Sequence, residues 1–432
     1  PADHVVVVVV HHIAADGAST LPLARDTMLA YTSRVQGHAP EWAPLPARYT
    51  DHALGHLGRL GDATHPQSLL SRQIDFWRST LDGVPELLDL PVDRPRPARR
   101  THHGAAVSFE IPAELTSGVV ATARAHDATL FMVMHAAFAI MLERITGATT
   151  LAIGTPVAGR GAAELDDMVG MFVNTVVLRS DIDASASFGE LLDRTRDRDL
   201  DAFDHSDVPF DQIVQALDPA RSTSHTPLFQ ALLEFRNIAP TRIDLPGLVV
   251  DTVDAPPPVA KCDLHLAVEE PRSGSATTAE FGYATDIFDE TTVRRFAAAF
   301  TRVLATVVTR PDVEVGAIDI LSSSERADLV PVSGRPMEPA VALPRLLARG
   351  ATIGGDAVAV VCGDERLTYR ELDSRSNRLA RRLIDLGAGP ETVVAVALTR
   401  SVESVLALWA VAKTGAAFLA VDPKYPSARS RT

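Results

Sequence analysis

The sequence predicts a mixed α/β protein built from more than one domain. The chain has 432 residues, of which 46% are hydrophobic and 22% are charged, so a core of ordinary size can form. Apolar residues alternate along some segments with the period of a strand and recur along others with the period of a helix. This mixture extends over the first 310 residues and returns after residue 342.

The predicted strands are short and rich in β-branched residues. Residues 5–10 are six consecutive valines, which predict a buried strand. Further strands are predicted at residues 107–111, 151–153 and 173–178, and the last two flank a turn that contains Gly159 and Gly161.

The predicted helices carry apolar residues at helical spacing. In the first 310 residues they cover residues 21–31, 67–81, 129–145 and 289–308. Residues 88–100 contain three prolines and are therefore predicted to be an extended connector, and Pro256, Pro257 and Pro258 predict a rigid loop.

The composition changes after residue 310. Residues 311–342 have three consecutive serines, scattered prolines and no clear period, which is typical of a linker. A helix-strand-helix pattern then returns, with an amphipathic helix predicted at 367–386. We therefore expect a first domain over residues 1–310, an inter-domain linker over 311–342 and a second domain over 343–432.

Several classes of function are excluded by composition. The formal charge is -14 with no dense basic stripe, so a nucleic-acid partner is excluded. The longest apolar run, at residues 405–412, is far shorter than the roughly 20 residues that span a bilayer, so no membrane partner is expected. Cys262 and Cys362 lie far apart and lack metal-ligand spacing, which favours a cytoplasmic protein and no bound metal.

Residues 11–17 read His-His-Ile-Ala-Ala-Asp-Gly and follow the first predicted strand directly. A side chain at a strand end is held in place, and neutral imidazole accepts a proton near neutral pH, so His12 is a candidate general base. Asp16 is placed to hold the turn through an ion pair, and Gly17 permits conformations that a Cβ forbids. A histidine pair that merely ends a strand stays open as an alternative. A metal site is disfavoured because adjacent strand residues point to opposite faces.

The same seven residues resemble the H-H-x-x-x-D-G signature of the condensation domains of nonribosomal peptide synthetases. Six further motifs follow in the family's order: residues 49–53 (YTDHA), 90–97 (LPVDRPRP), 153–160 (IGTPVAGR), 169–175 (VGMFVNT), 205–211 (HSDVPFD) and 227–230 (PLFQ). The resemblance implies a chloramphenicol acetyltransferase-like fold of two lobes, with a substrate tunnel between them.

The last 90 residues resemble the start of an adenylation domain. The matching segments are residues 367–372 (LTYREL), 413–418 (KTGAAF) and 421–426 (VDPKYP). The family's phosphate loop and its later ATP-contacting motifs would follow these segments. We therefore expect the truncated N-terminal part of an adenylate-forming enzyme fold, which adenylates nothing by itself, inside an elongation module.

The resemblance implies peptide-bond formation between two carrier-bound thioesters. The phosphopantetheine arms of an upstream and a downstream peptidyl carrier protein deliver the substrates, no cofactor is bound directly, and the adenylation domain is a partner in cis. His12 is expected to act as the base or to orient the amine, with His11 and Asp16 in support and Gly17 offering a backbone N–H to the oxyanion. Arg160 and Asn174 either shape the tunnel and bind substrate or satisfy buried backbone groups.

The resemblance also implies a substantial segment before residue 1, with an arginine that pairs with the residue matching Asp16. We therefore expect a first lobe that lacks its N-terminal part and an Asp16 without that partner, so the fragment alone is expected to be inactive. Three other activities are weighed: an epimerisation domain, which the adenylation start disfavours, a heterocyclisation domain, which the histidine pair disfavours, and a catalytically silent module that recruits a partner.

Overall fold

The chain folds into two compact units, residues 1–326 and residues 327–432. The structure is a computed structural model and describes residues 4–236, 243–245, 248–250, 259–271, 274–329 and 341–424. The predicted proline loop at 256–258 and the last two residues of the motif at 421–426 lie outside these ranges.

A six-stranded mixed sheet forms the centre of the first unit. Its order is β1-β8-β7-β4-β2-β3, with β4 parallel to both β2 and β7 and the other pairs antiparallel. The strands are β1 (Gly104–Ile111), β2 (Thr150–Val157), β3 (Asn174–Asp181), β4 (Ala231–Arg236), β7 (Leu264–Glu269) and β8 (Thr277–Ala284), and a separate hairpin pairs β5 (Ile243–Leu245) with β6 (Leu248–Val250).

Helices cover the sheet and begin at recognisable caps. Thr129 accepts a hydrogen bond from the Met132 N–H at the start of α5, and Ser187 caps α6 in the same way. The helices are α1 (Thr20–Val35), α2 (Tyr49–Leu60), α3 (Leu69–Thr80), α4 (Ala113–Ala125), α5 (Leu130–Thr146), α6 (Phe188–Asp204), α7 (Phe210–Leu217), α8 (Glu290–Thr309) and α9 (Ser323–Leu329).

The two faces of the sheet pack against different helices. One face belongs to the larger core with α5 and α8, where Leu233 and Phe281 are fully buried. The other face belongs to a second core with Trp77 of α3, which contacts the side of the sheet that carries Val177 and Leu232. Because successive side chains of a strand point to opposite faces, β2 and β4 supply both cores, as Leu233 and Leu232 of β4 show.

A buried polar group joins β3 to the helices of the larger core. His135 Nδ1 lies 3.0 Å from Asp199, and its Nε2 lies 3.0 Å from the Ser180 hydroxyl. All three side chains are buried, so this serine-histidine-aspartate arrangement fixes α5, β3 and α6 to one another rather than facing substrate. His135 is thus a core histidine, with partners that its sequence context does not reveal.

Two predicted segments differ from the structure. Residues 5–10 form no strand, and the exposure of these valines ranges from 45% to 90%. A strand needs a neighbour to satisfy its backbone N–H and C=O groups, and none of the described strands pairs with residues 5–10. The predicted linker also starts differently, because Val315 and Ile318 are fully buried in the larger core of the first unit.

The second unit is built around two small sheets. It contains β9 (Val358–Cys362) antiparallel to β10 (Glu365–Thr368), β11 (Val393–Val396) parallel to β12 (Ala417–Ala420), and the helices α10 (Leu343–Gly354), α11 (Tyr369–Asp385) and α12 (Val402–Thr414). The helix predicted at 367–386 begins later because Leu367 and Thr368 pair with β9. Lys413 of α12, the first residue of the motif at 413–418, donates to Asp373, Ser376 and Asn377 of α11 and so ties the two helices together.

Within the described ranges, no single helix is long and apolar enough to span a membrane. One bent pair of helices, α4 with α5, has only the length and the composition of such a span.

Candidate functional site

The histidine motif forms an exposed turn that leads into α1. His11 and His12 are both exposed, and His11 Nδ1 accepts a hydrogen bond of 3.1 Å from the Ile13 N–H. The Ala14 N–H closes the turn on the His11 carbonyl at 2.9 Å. The prediction that the motif ends a buried strand is wrong, since the turn follows exposed, unpaired backbone.

Asp16 ends this turn and is buried with a full set of hydrogen bonds. Its Oδ1 accepts from the Ser19 N–H at 2.9 Å and from the Ser19 hydroxyl at 2.7 Å. Its Oδ2 accepts from the Phe172 N–H at 3.0 Å, just before β3. The carboxylate therefore ties the start of α1 to a segment more than 150 positions away in the chain.

Arg160 completes the group around Asp16. Its guanidinium donates to Asp16 Oδ1 at 2.9 Å, and both side chains are almost fully buried. It also donates to the carbonyls of Leu165 and Met168 and lies 4.1 Å from the centroid of the Phe172 ring. Asp16 is therefore not left without a cation, because Arg160, which follows β2, supplies the positive charge.

The pKa of Asp16 depends on burial and on these hydrogen bonds, which act in opposite directions. Burial alone would raise the pKa of this carboxyl group, but the hydrogen bonds from Ser19, the Phe172 N–H and Arg160 together outweigh burial and hold it below its ordinary value. Asp16 is therefore a fixed negative charge, and we assign it a holding role rather than proton transfer.

Two glycines allow the surrounding segments to approach this closely. Gly159 has a φ of +63°, and a Cβ there would lie 2.0 Å from the Phe172 carbonyl oxygen. A Cβ at Gly170 would lie 2.3 Å from the ring of Tyr49, whose hydroxyl donates to the Met171 carbonyl at 2.6 Å. By contrast, Gly17 is not among the positions with positive φ, so its backbone does not by itself require glycine.

Asn174 lies at the start of β3 and bridges to the segment between α6 and α7. Its amide nitrogen donates to the carbonyls of Ser206 and Val208 at 2.9 and 2.7 Å. Its amide oxygen accepts from the Thr175 and Phe210 N–H groups. These contacts match the expectation that Asn174 satisfies buried backbone groups, and they account for the motifs at 169–175 and 205–211 together.

The sequence identified Asp16, Arg160 and Asn174 singly but missed that the first two form one group. It also missed the roles of Ser19, which lies outside the motifs, and of Tyr49, which lies in the motif at 49–53; neither residue carries a charge. A signal was present, since the GTPVAGR motif ends on an arginine within a glycine-containing turn, and a buried carboxylate elsewhere in the chain needs a cation. The described residues include no group of three or more His, Cys, Asp or Glu side chains suited to a metal ion.

The comparisons with known families cover nearly the whole chain. The condensation-domain family matches residues 1–330, and the AMP-binding enzyme family matches residues 347–432. The chain belongs to the condensation-domain family of nonribosomal peptide synthetases and continues into part of an adenylation domain. Both predictions of family and of fold class are thereby confirmed.

Individual relatives have the same domain arrangement. The chain is 42% identical to a probable nonribosomal peptide synthetase of Salinispora arenicola and 40% identical to the dimodular nonribosomal peptide synthase of Bacillus subtilis, in each case over 99% of its own length. It spans only 6% and 18% of those two proteins. Among solved structures, the X-domain in complex with OxyB from teicoplanin biosynthesis is 31% identical with a TM-score of 0.68, over 73% of this chain and 69% of that one.

The buried ion pair predicts a large cost for Asp16→Asn. The substitution keeps the size of the side chain but leaves the Arg160 charge buried without a carboxylate, which costs about 3–5 kcal/mol in the free energy of unfolding. Urea denaturation of wild type and of Asp16→Asn measures this difference in the free energy of unfolding. Asp167→Asn is the control, because Asp167 is exposed and pairs with Arg25 at the surface, and its unfolding midpoint should not move. Equal midpoints for wild type and Asp16→Asn would contradict the assignment.

The same carboxyl group predicts a pH dependence. Because the pKa of Asp16 is lower in the folded protein than its ordinary value of 3.8, its contribution to stability is complete above that value and is lost as the pH falls through the folded pKa. The difference in unfolding free energy between wild type and Asp16→Asn should therefore be constant above about pH 5 and shrink as the pH falls from about 4 to about 2. A difference that stays constant over this interval would count against the folded-state pKa shift.

The close approach at Gly159 predicts that Gly159→Ala is destabilising. The new Cβ meets a backbone oxygen and the residue keeps a positive φ, so we expect a loss of at least about 2 kcal/mol in the free energy of unfolding. Gly161→Ala is the matched control, since a Cβ at Gly161 meets no atom within 4 Å. Similar unfolding curves for the two variants would show that the turn can open at little cost.

Proposed function

We propose that this chain forms peptide bonds between carrier-bound thioesters as the condensation part of an elongation module. The amine nitrogen of the downstream aminoacyl group attacks the carbonyl carbon of the upstream thioester. A new C–N bond forms, the C–S bond breaks, and the peptide moves to the downstream carrier. The upstream phosphopantetheine leaves as a thiol.

One observation carries the proposal: an exposed imidazole stands on a turn whose far end is locked by a buried charge. His12 is open to substrate, while Asp16 at the other end of the turn is held by Ser19, Phe172 and Arg160. A thioester is already activated, so positioning and one proton transfer are the main tasks. His12 takes the proton of the attacking amine and returns it to the leaving sulfur, so that the charges balance.

The other residues of the predicted site support His12. His11 shapes the turn through its hydrogen bond with the Ile13 N–H. Gly17 is exposed and offers its backbone N–H toward the developing oxyanion. Arg160 and Asn174 act on substrate indirectly, because their polar groups are engaged with Asp16 and with backbone carbonyls. We assign them the role of holding the tunnel wall.

The proposed partners follow from the family. Upstream and downstream carrier proteins bring the thioesters on phosphopantetheine arms, which are substrates here rather than a resident cofactor. The adenylation domain that begins in this chain is the partner in cis. Both cysteines of the chain are free, which suits a reducing compartment and the proposed cytoplasmic location.

A second candidate is a silent module that recruits a protein partner. The likeness to the X-domain that was solved in complex with OxyB favours it, at 31% identity. The intact histidine pair and the adenylation segment that follows it favour catalysis instead. An epimerisation domain stays the third alternative and is disfavoured by the same adenylation segment.

The experiment that tests the proposal compares wild type with His12→Ala in the synthetase module that carries this sequence. Donor and acceptor are loaded on separate carrier proteins, and mass spectrometry of the intact carriers follows transfer of the peptide. We expect His12→Ala to lower the transfer rate at least about a hundredfold, because the proton acceptor is lost. Its melting temperature should not change, since the side chain is exposed.

Two further variants serve as controls. His4→Ala removes an exposed histidine outside the turn and should leave transfer unchanged. His11→Ala removes the contact with Ile13 and should lower the melting temperature as well as the rate. Transfer at the wild-type rate by His12→Ala would exclude the proposed role of His12. A folded wild type that transfers nothing, with carriers loaded, would favour the recruiting module.

A further inference from the structure

A polar cavity lies on the central sheet, apart from the histidine turn. Its volume is about 150 Å³, and its lining contains five Glu, Arg, Lys and His side chains together with two glycines. These five residues are Glu234 and Arg236 of β4, Lys261, His265 of β7 and Glu280 of β8, and the glycines are Gly104 and Gly282. None of these residues belongs to the motifs assigned to the reaction.

The cavity opens on the side of the sheet that faces the candidate site. In the strand register, His265 is opposite Leu232 and Gly282, so their side-chain positions share one face. That is the face whose Leu232 and Val177 pack with α3. Helix α2 packs on α3, and its Tyr49 contacts Phe172 beside Asp16. A substrate bound near the histidine turn therefore lies on the same side of the sheet as the cavity.

The floor of the cavity is open because residue 282 has no side chain. A Cβ at Gly282 would lie 3.7 Å from the nearest atoms of His265, which is ordinary contact, and the φ of Gly282 is not positive. The backbone thus does not demand glycine at this position. Space for a ligand is what glycine provides there.

Among the described residues, the cavity has unused hydrogen-bond donors. The two carboxylates have partners within it: Glu234 lies 2.8 Å from His265 Nε2, and Glu280 lies 3.3 Å from Arg236. In the described part of the chain, the Arg236 guanidinium donates one hydrogen bond although it carries five N–H groups. His265 Nε2 is close to Glu234 but is not aligned for a hydrogen bond. A ligand that accepts hydrogen bonds fits these donors.

The charges of the cavity point to the same kind of ligand. Burial alone would raise the pKa of Glu234, but the His265 imidazole 2.8 Å away and the charge of Lys261 hold it at about 2, so this carboxylate stays ionised. Two carboxylates then face Arg236, Lys261 and an imidazole that adds a third positive charge when protonated. The lining is not negative overall, so it gives no preference to an ammonium group.

We propose that this cavity receives the side chain of one of the two carrier-bound aminoacyl groups, and that it favours a side chain ending in a carboxylate or a carboxamide. The inference rests on the proposed function, because it needs a thioester substrate on this side of the sheet. It adds selectivity for the substrate to the proton transfer assigned to His12.

The test fills the cavity and compares substrates with and without a side chain. Wild type and Gly282→Val are assayed in the synthetase module by mass spectrometry of the carriers. In one arm the acceptor is glycyl, leucyl, glutamyl or glutaminyl with a constant donor, and in the other arm the donor is varied in the same way. Thr278→Val is the matched control, since Thr278 is exposed on the same strand and outside the cavity lining.

We expect wild type to prefer glutamyl or glutaminyl over leucyl in one arm. The arm that shows this preference identifies whether the donor or the acceptor side chain enters the cavity. Gly282→Val should lower transfer of the preferred group about tenfold and change glycyl transfer by less than about twofold, because glycine places nothing in the cavity. Arg236→Gln should reduce the preference for glutamyl over leucyl.

Other results overturn the inference. An equal loss of glycyl transfer in Gly282→Val would show that the cavity does not serve the side chain. Unchanged rates in both arms would show that no substrate enters it. An absence of transfer for every pair in folded wild type would instead overturn the proposed function, and this inference with it.

Discussion

The ion pair between Asp16 and Arg160 is the interaction on which the rest of the site depends. It joins the start of α1 to the turn after β2, and through Phe172 it reaches the start of β3. A buried charge pair is costly to form, and removing one of its partners costs still more. Such a pair is therefore stable only where every carboxylate oxygen accepts a hydrogen bond. Here Ser19, the Phe172 N–H and Arg160 meet that requirement. The exposed histidines thus stand on an anchored turn.

The glycines around the pair show how closely the backbone segments have to approach. Gly159 and Gly170 admit the Phe172 carbonyl and the Tyr49 ring at distances that a Cβ would prevent. Asn174 links the start of β3 to the segment after α6. It donates to two carbonyls of that segment and accepts from the N–H groups of Thr175 and Phe210. One connected group of contacts therefore joins the motifs at 11–17, 49–53, 153–160, 169–175 and 205–211.

How much could be predicted from sequence depends on whether the signal is local. Helices α5 and α8 were predicted close to their observed bounds, because apolar spacing and capping residues are local properties. The valine run at residues 5–10 was misassigned, because a strand depends on a neighbour that its own sequence does not specify. Arg160 was identified as a site residue, but its pairing with Asp16 spans 144 positions. The cavity around His265 was missed because its residues come from β4, β7 and β8.

The face of the sheet toward α3 is the one on which the proposed side-chain cavity lies. Part of it is covered by α3 and Trp77, and part of it carries the polar cavity around Glu234 and His265. The opposite face is given over to α5 and α8, where the largest core forms. A rigid core on one side and open polar surface on the other is a common way to place a site on a fixed scaffold.

A double-mutant cycle on Asp16 and Arg160 tests the central claim most directly. The free energy of unfolding is measured for wild type, Asp16→Asn, Arg160→Gln and the double variant. The account predicts strong coupling of about 1–3 kcal/mol, with the double variant more stable than the sum of the single losses implies, because removing both charges leaves neither buried alone. Additive losses would contradict the claim that this ion pair anchors the histidine turn.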